Sequence, residues 1–504
     1  MLTTKIEQGV TRNQILNDLA KSSHGKLGEY TQMGRTAAKE HPEFLAHLIA
    51  WNQIKGQVRD SKTALPVVSL SSPDFKDPDF IENSLAHLAM LDPRSLVRAY
   101  RFAKELSASV GMAGRLMTIR RLIERYLRHR EQQWGRIEGS QVQHRQALRE
   151  LYTLLHIKPF PSADKSIVKG HDHARGSRFD AIAHLSEMSP AEAAGVILEK
   201  KLPFLIVAGA LGKNLKEPAV ALALLNRMTP TELVTNQKLL LAMGVKTIPE
   251  LRAAYESALT RAAESKQNTF KTQKAVEAID DEAQKEKLIA LQEKQIQKIG
   301  GVDGNWLVLG DRSPSMAKSI EVAKMVSATL AKMVKGDVYL VFFDSGPTYY
   351  KVTGKTYDQI LDDTKKVKVG SATSIGCGVQ YAIDAKLDID GIAVVSDGEE
   401  NTLPYFPSTY KKYCKAFDKE PTVYFYHMAG GTNNLTARCK DEGIDVQEFD
   451  LRTTALDYYS LPNIVQTMRV SRYSLVDEIL GVRLLTLKEV LDVTADEKAI
   501  VGVR

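Results

Sequence analysis

The spacing of apolar residues changes period once along this chain, at "GGVDG" (residues 300–304), and that change limits the possible folds more than any other feature. Before it, "PEFLAHLIAWNQIKG", "PRSLVRAYRFAKELSASVG", "GRLMTIRRLIERYLRHRE", "SPAEAAGVILEKK" and "TPTELVTNQKLLLAMG" place apolar residues three and four apart, the spacing of amphipathic helices. Several begin at Pro or at Ser/Thr-Pro and are followed by Gly, as helix ends often are. No run of alternating strands interrupts them. Such helices, joined by short links, predict an all-α stacked array like a HEAT solenoid, with no strict repeat period. The charged stretch 262–299 predicts a solvated helix that closes the array. After the glycines, "NWLVLGD", "DVYLVFFD", "GIAVVSDG" and "TVYFYHM" alternate with helical segments, which predicts a parallel, doubly wound α/β sheet. The expected organisation is a helical domain over 1–300, an α/β domain over 301–470 and a helical tail over 471–504.

Charge divides at the same place. From residue 301 onward 24 Lys and Arg stand against 28 Asp and Glu, so of the chain's 68 basic and 61 acidic residues the first 300 hold 44 and 33. Ten of the eleven histidines lie in that basic part. A basic helical half joined to a mildly acidic α/β half suggests that the first meets a polyanion. The three cysteines form no CxxC pair and leave an odd thiol, which favours a reducing, cytoplasmic setting. The opening residues lack the apolar core of a signal peptide. The longest apolar run, "LPFLIVAGALG" (202–212), is shorter than the ~20 residues a membrane-spanning helix needs.

In "LGDRSPSM" (309–316) a strand ends by placing Asp311, Ser313 and Ser315 on one turn. Thr373 lies in "VGSATSIGCG", before a glycine-punctuated helix start, and Asp397 ends the strand "GIAVVSDG". Ligands of doubly wound sheets gather at the carboxyl ends of strands, and carboxylates with hydroxyls supply the hard oxygen donors that Mg²⁺ takes. The D-x-S-x-S turn, the loop threonine and the later "SDGEEN" resemble the metal-ion-dependent adhesion site (MIDAS) of a von Willebrand factor A domain. The resemblance covers roughly 303–470. It implies that Ser313, Ser315 and Thr373 ligate a divalent cation directly or nearly so, with Asp311 and Asp397 acting largely through water and hydroxyl hydrogen bonds. Few direct carboxylates leave the ion electrophilic, so an outside acidic group or phosphate can complete its shell. Pro314 stands where glycine is common and removes no ligand.

Two other motifs carry less. "TGKT" (353–356) lacks the earlier glycine of a phosphate-binding loop, since Tyr349 stands there, and predicts a turn. "GHDHARGSR" (170–178) has two histidines and no third zinc ligand, and predicts a basic loop. No Ser-His-Asp, Cys-His or paired-carboxylate arrangement stands out as a catalytic centre, so the expectation is a protein that is not an enzyme.

Residues 115–149 hold nine arginines, no lysine and three acidic residues. Leu116, Ile119, Ile123 and Tyr126 form an apolar stripe, while Arg121, Arg125 and Arg128 fall on a different face. Arginine binds phosphate oxygens bidentately and stacks on bases. "LYTLLHIKPFP" follows, with His156 and Lys158, and then a loop that carries Lys165, Lys169 and Arg175. These stretches, with 41–60 and 227–245, resemble the TROVE module of Ro-type RNA-binding proteins, in which that module precedes an A domain. "VTNQKL" departs from the arginine-asparagine-leucine core frequent in that family. The resemblance implies a ring of HEAT-like helices whose basic outer surface binds small structured non-coding RNAs (Y RNAs). Its central hole would take single-stranded ends of misfolded RNA. His156 and Lys158 match the family's His-x-Lys-Pro motif, and the arginine-rich helix, with Arg120, Arg121, Arg125 and Arg128, precedes it.

The leading expectation is therefore a monomeric ribonucleoprotein scaffold for RNA quality control. It would bind Mg²⁺ and engage an exoribonuclease or other protein through the metal site, without a membrane. The alternative is a metal-dependent protein-interaction subunit working with an ATPase. A phosphoryl-transfer enzyme ranks last, because no general base or second metal site is evident.

Overall fold

A computed structural model describes residues 27–56, 59–110, 113–264, 281–298, 302–314, 316–428, 434–450 and 472–491, with isolated positions near the amino terminus and between 272 and 279. The chain divides into two compact units. One comprises Gly34–Gln295 with Arg483–Arg504, and the other Met1–Met33 with Ile296–Val482.

The first unit is helical throughout its described residues. Pro42–Lys55, Arg59–Ser71, Pro78–Ala89, Pro93–Val110 and Ala113–Gln132 pack on near neighbours in sequence, and Pro190–Glu199, Pro218–Arg227 and Pro249–Glu264 do the same further on. Local chemistry sets several boundaries. Ser189 and Thr229 each begin a capping box with Pro at the first helical position, and Glu192 and Glu232 close the two boxes. The stretch expected to be one solvated helix holds the Glu282–Lys298 helix, and Leu288 and Leu291 on it are buried in one core with Leu251 and Tyr255 of the Pro249–Glu264 helix. Leu288 and Leu291 therefore pack, while Ala283 and Ala290 stay exposed among the charged positions.

The carboxyl-terminal stretch is shared between the units. Arg472–Leu480 belongs with the α/β unit, whereas Leu487–Leu491 packs on the Pro78–Ala89 helix. There the Leu485 amide donates to Asn83 Oδ1 at 3.0 Å and the Leu487 amide to Glu82 Oε1 at 3.3 Å. Val490 and Leu491 are buried beside them.

The second unit is a six-stranded sheet ordered β3-β2-β1-β4-β5-β6. The strands are β1 Trp306–Asp311, β2 Val338–Phe343, β3 Pro347–Lys351, β4 Gly391–Ser396, β5 Thr422–His427 and β6 Val446–Asp450. All pairings are parallel except β2 with β3, so the sheet is mixed where the sequence predicts a parallel one. The short turn after β2 allows only a hairpin return, because a parallel return needs a long crossover. β1, β2 and β4 are buried along their whole length between helical layers. Gly310 lets the layers close, since a Cβ there would sit 2.6 Å from Ala323 Cβ on the Ala317–Met333 helix. "TGKT" is a turn, with Thr356 capping the Tyr357–Asp363 helix. Among the described residues no helix is long and apolar enough to cross a membrane.

The strand order reverses between β1 and β4, and a doubly wound sheet opens its ligand crevice at that point, outside the carboxyl ends of the strands.

Candidate metal centre and basic surface

Asp311 is the last residue of β1, and Asp397 directly follows Ser396, the last residue of β4, so both carboxylates stand at the reversal point. Asp311 is fully buried. Its Oδ1 accepts from the Ser313 amide at 2.8 Å and its Oδ2 from the Ser396 hydroxyl at 2.6 Å. The Ser319 hydroxyl donates to the Asp311 carbonyl, which ties the start of the following helix to the strand end. Burial pushes the Asp311 carboxyl up to about 6; the serine hydrogen bonds oppose that rise, and the charge of Asp397 adds to it. Ser313, Thr373 and Asp397 are buried as well. The Asp397 carboxylate accepts from the Glu399 amide at 3.0 Å.

Thr373 is brought to this edge by two loops. The Thr373 carbonyl accepts from the Asn401 and Thr402 amides, both at 3.0 Å, and the Thr373 amide donates to Asn401 Oδ1 at 3.1 Å. On the other side, the Arg312 carbonyl accepts from the Gly370 amide at 2.6 Å, and the Arg312 guanidinium donates to Asp344 Oδ1 at 3.0 Å. A Cβ on Gly370 would lie 2.0 Å from Asp344 Oδ2, so only glycine fits there. These ties bring Asp311, Ser313, Thr373 and Asp397 to one edge; Ser315 lies outside the described residues.

Among the described residues no group of three or more His, Cys, Asp or Glu is placed to hold a metal. The cluster offers instead two carboxylates and hydroxyls, the hard, weakly charged donor set that suits Mg²⁺ with an open position. Both Asp311 oxygens already accept hydrogen bonds, which fits a carboxylate that acts through hydroxyls or water. Sequence reasoning missed Ser396, although it directly precedes Asp397 in "VVSDG".

Glu400 was missed too. Its buried carboxylate accepts from the Gly376 amide at 2.9 Å and from the Phe406 amide at 2.9 Å, at the starts of two helices. Burial pushes this carboxyl up to about 7 against those hydrogen bonds. A carboxyl raised from 4.5 in the folded state binds its proton more tightly there than in the unfolded chain. Its stabilising effect is full below pH ~4.5 and is lost as pH rises through about 7, on the order of 3 kcal/mol in all. The α/β unit should therefore melt at lower temperature at pH 7.5 than at pH 5, and Glu400→Gln should flatten that difference. Calorimetric melts across this range check it; an equally steep profile in the variant would refute it.

In the helical unit at least five of the nine candidate basic residues make contacts within the chain, Arg125 among them. Arg120 Nη2 donates to the Leu155 carbonyl at 3.1 Å, and Arg128 pairs with Glu131 at 2.8 Å. Lys165 pairs with Asp172 at 2.5 Å and Lys169 with Asp164 at 2.6 Å. The Glu131 carboxylate is wholly buried and also accepts from the Tyr152 hydroxyl at 2.9 Å and the Phe160 amide at 2.8 Å. The Arg128 guanidinium stands 5.1 Å from the centre of the Phe160 ring. Through Leu155 and Phe160 these contacts lay the loop 155–160 along the Ala113–Gln132 helix.

His156 and Lys158 are exposed on that loop, and Arg121 and Arg125, one helical turn apart, are exposed on the helix. Arg175 is exposed in the loop further on. Phe160, 43% exposed beside Arg128, adds a ring that the charge-based reading overlooked.

No protein-family model matches the sequence, and no curated protein matches it either. Among solved structures the chain is similar in fold to the RO (RSR) protein of Deinococcus radiodurans. The TM-score is 0.55 at 16% identity, over 86% of this chain and 93% of that one.

Proposed function

We propose that this chain is a Ro-like RNA-binding protein without catalytic activity of its own. Its helical unit binds small structured non-coding RNA of the Y RNA type and single-stranded ends of misfolded RNA. Its α/β unit is a Mg²⁺-dependent site for a partner protein, such as an exoribonuclease. The observation that carries the RNA reading is that Arg121, Arg125, His156 and Lys158 are all exposed, two on the arginine-rich helix and two on the loop tied to that helix through Glu131. Likeness in fold to the RO protein over most of the chain supports it. Guanidinium groups one turn apart on a helix can each grip a phosphate, and the neighbouring lysine and imidazole extend the charge along the loop. Phe160 would receive an unstacked base.

For the metal, Ser313, Ser315 and Thr373 would hold Mg²⁺, with Asp311 and Asp397 fixing the hydroxyls and bound waters. When bound, the cation supplies an open coordination position for an outside carboxylate. Ser396 and Ser319 hold the Asp311 strand end, and Asn401 holds the Thr373 loop, which supports this reading for the described members of the set.

The RNA reading is tested on the full chain by filter binding of a structured small RNA at increasing salt. Affinity should fall steeply, because each neutralised phosphate releases counterions. Replacing Arg121, Arg125 and Lys158 together by alanine should weaken binding about tenfold or more and flatten the salt slope. Arg128 is left intact in this variant, since its loss would leave the buried Glu131 carboxylate without its cation. Wild-type affinity and slope in the triple variant would refute the assignment.

A further inference from the structure

Large apolar side chains on a soluble surface are ordinary when scattered and informative when they converge. Among the described residues, the exposed large hydrophobics of the α/β unit are Val369 (45%), Leu403 (70%) and Tyr405 (36%). All three stand on the two loops that meet at Thr373. Val369 precedes Gly370, whose amide donates to the Arg312 carbonyl beside Ser313. Leu403 follows Thr402, whose amide donates to the Thr373 carbonyl, and the Ser374 hydroxyl donates to the Pro404 carbonyl at 2.8 Å. The first loop also carries two lysines. Lys366 and Lys368 are exposed on the first loop, with no acidic group in ion-pair range among the described residues. The Arg438 guanidinium lies 5.2 Å from the centre of the Tyr405 ring and donates to the Glu400 carbonyl at 3.2 Å.

We infer that this rim reads the residues beside a partner's metal-seeking carboxylate. The occupant is a protein segment in which an Asp or Glu is followed or preceded by a large apolar residue, within an acidic stretch. This rests on the metal reading above and goes beyond it by naming the segment's chemistry. Leu403, the most exposed of the three, takes the apolar neighbour, with Tyr405 and Val369 flanking. Lys366 and Lys368 meet additional carboxylates, and this complementarity of charge excludes basic segments. A phosphate ligand would use the same lysines and gain nothing from Leu403 and Val369, the apolar part of the rim.

The test uses the full-length chain and a random-peptide display library, selected in Mg²⁺ and eluted with chelator, with Mg²⁺ affinity measured separately by calorimetry. The expected result is enrichment of peptides pairing an acidic with an adjacent Leu, Ile, Met or Phe residue. Leu403→Ser should weaken a selected peptide about tenfold and leave Mg²⁺ affinity unchanged, the size expected for one apolar side chain leaving its contact. Lys366→Ser with Lys368→Ser should relax the preference for further acidic residues. Acidic peptides enriched with no apolar neighbour, or full affinity in Leu403→Ser, would overturn the inference and leave the metal reading standing. Mg²⁺ binding without any acidic enrichment would overturn it equally. Absence of Mg²⁺ binding would overturn both together.

Discussion

Asp311→Ala should abolish Mg²⁺ binding in a calorimetric titration while the helical unit melts as before. Both oxygens of this buried carboxylate are engaged, one by the Ser313 amide and one by the Ser396 hydroxyl, so the side chain holds the D-x-S-x-S turn against the end of β4. Without it the turn loses its anchor and the cation loses a neighbouring charge. Asp311→Asn keeps an acceptor and the side-chain shape but loses the charge. It should weaken Mg²⁺ by roughly 10- to 100-fold, the usual effect of altering a group that supports metal ligands. The dependence on pH follows the same group. Because burial raises this carboxyl to about 6, Mg²⁺ must displace a proton below that pH, and wild-type affinity should fall as pH drops from 7 to 5. An unaltered titration in Asp311→Ala would remove the metal assignment.

Deleting residues 483–504 from the full chain should destabilise the helical unit by roughly 4 kcal/mol, although every helix expected of the array precedes residue 300. Val490 and Leu491 are buried, and each fully buried side chain of this size contributes about 1.5–3 kcal/mol. Asn83 is buried and uses both ends of its amide, donating to the Ala46 carbonyl at 3.0 Å and accepting from Leu485. The deletion therefore exposes apolar surface and leaves Asn83 Oδ1 without its donor. Thermal unfolding followed by helical circular dichroism measures the effect. A double substitution, Val490→Ser with Leu491→Ser, should reproduce most of it without shortening the chain. If both variants melt as wild type does, the segment lies on the helical unit without stabilising it. A fragment that stops at residue 300 would lack this contribution, so it is a poor choice for RNA-binding measurements.

How much was legible in the sequence depends on the range of each interaction. Periodicity is local: apolar spacing of three and four, or short β-branched runs between helices, identified the two fold types and the glycine-marked change between them. Strand-terminal motifs are local too, and a carboxylate at a strand's carboxyl end in a doubly wound sheet faces the ligand edge whatever its neighbours are. That is why Asp311 and Asp397 could be expected at the sheet edge before their geometry was seen, whereas the parts given to Ser313 and Thr373 came from the resemblance to the A-domain motif. The antiparallel β3 was less legible, because an apolar run does not state its direction.

What the sequence alone could not decide was which charges work inside the fold and which face outward. Arg120, Arg121, Arg125 and Arg128 look alike in the helix pattern. Two of them are committed to contacts with Leu155 and Glu131, because a loop some thirty residues later packs along their face. Ser396 gains its role only when β4 pairs beside β1, and it then reaches Asp311 from 85 residues away. Leu485 meets Asn83 across 402 residues. A buried hydrogen bond between distant residues forms only after both segments have been fixed by their own packing, so no local pattern records it. Tertiary structure therefore decided the partners, and the sequence by itself determined the elements that carry them.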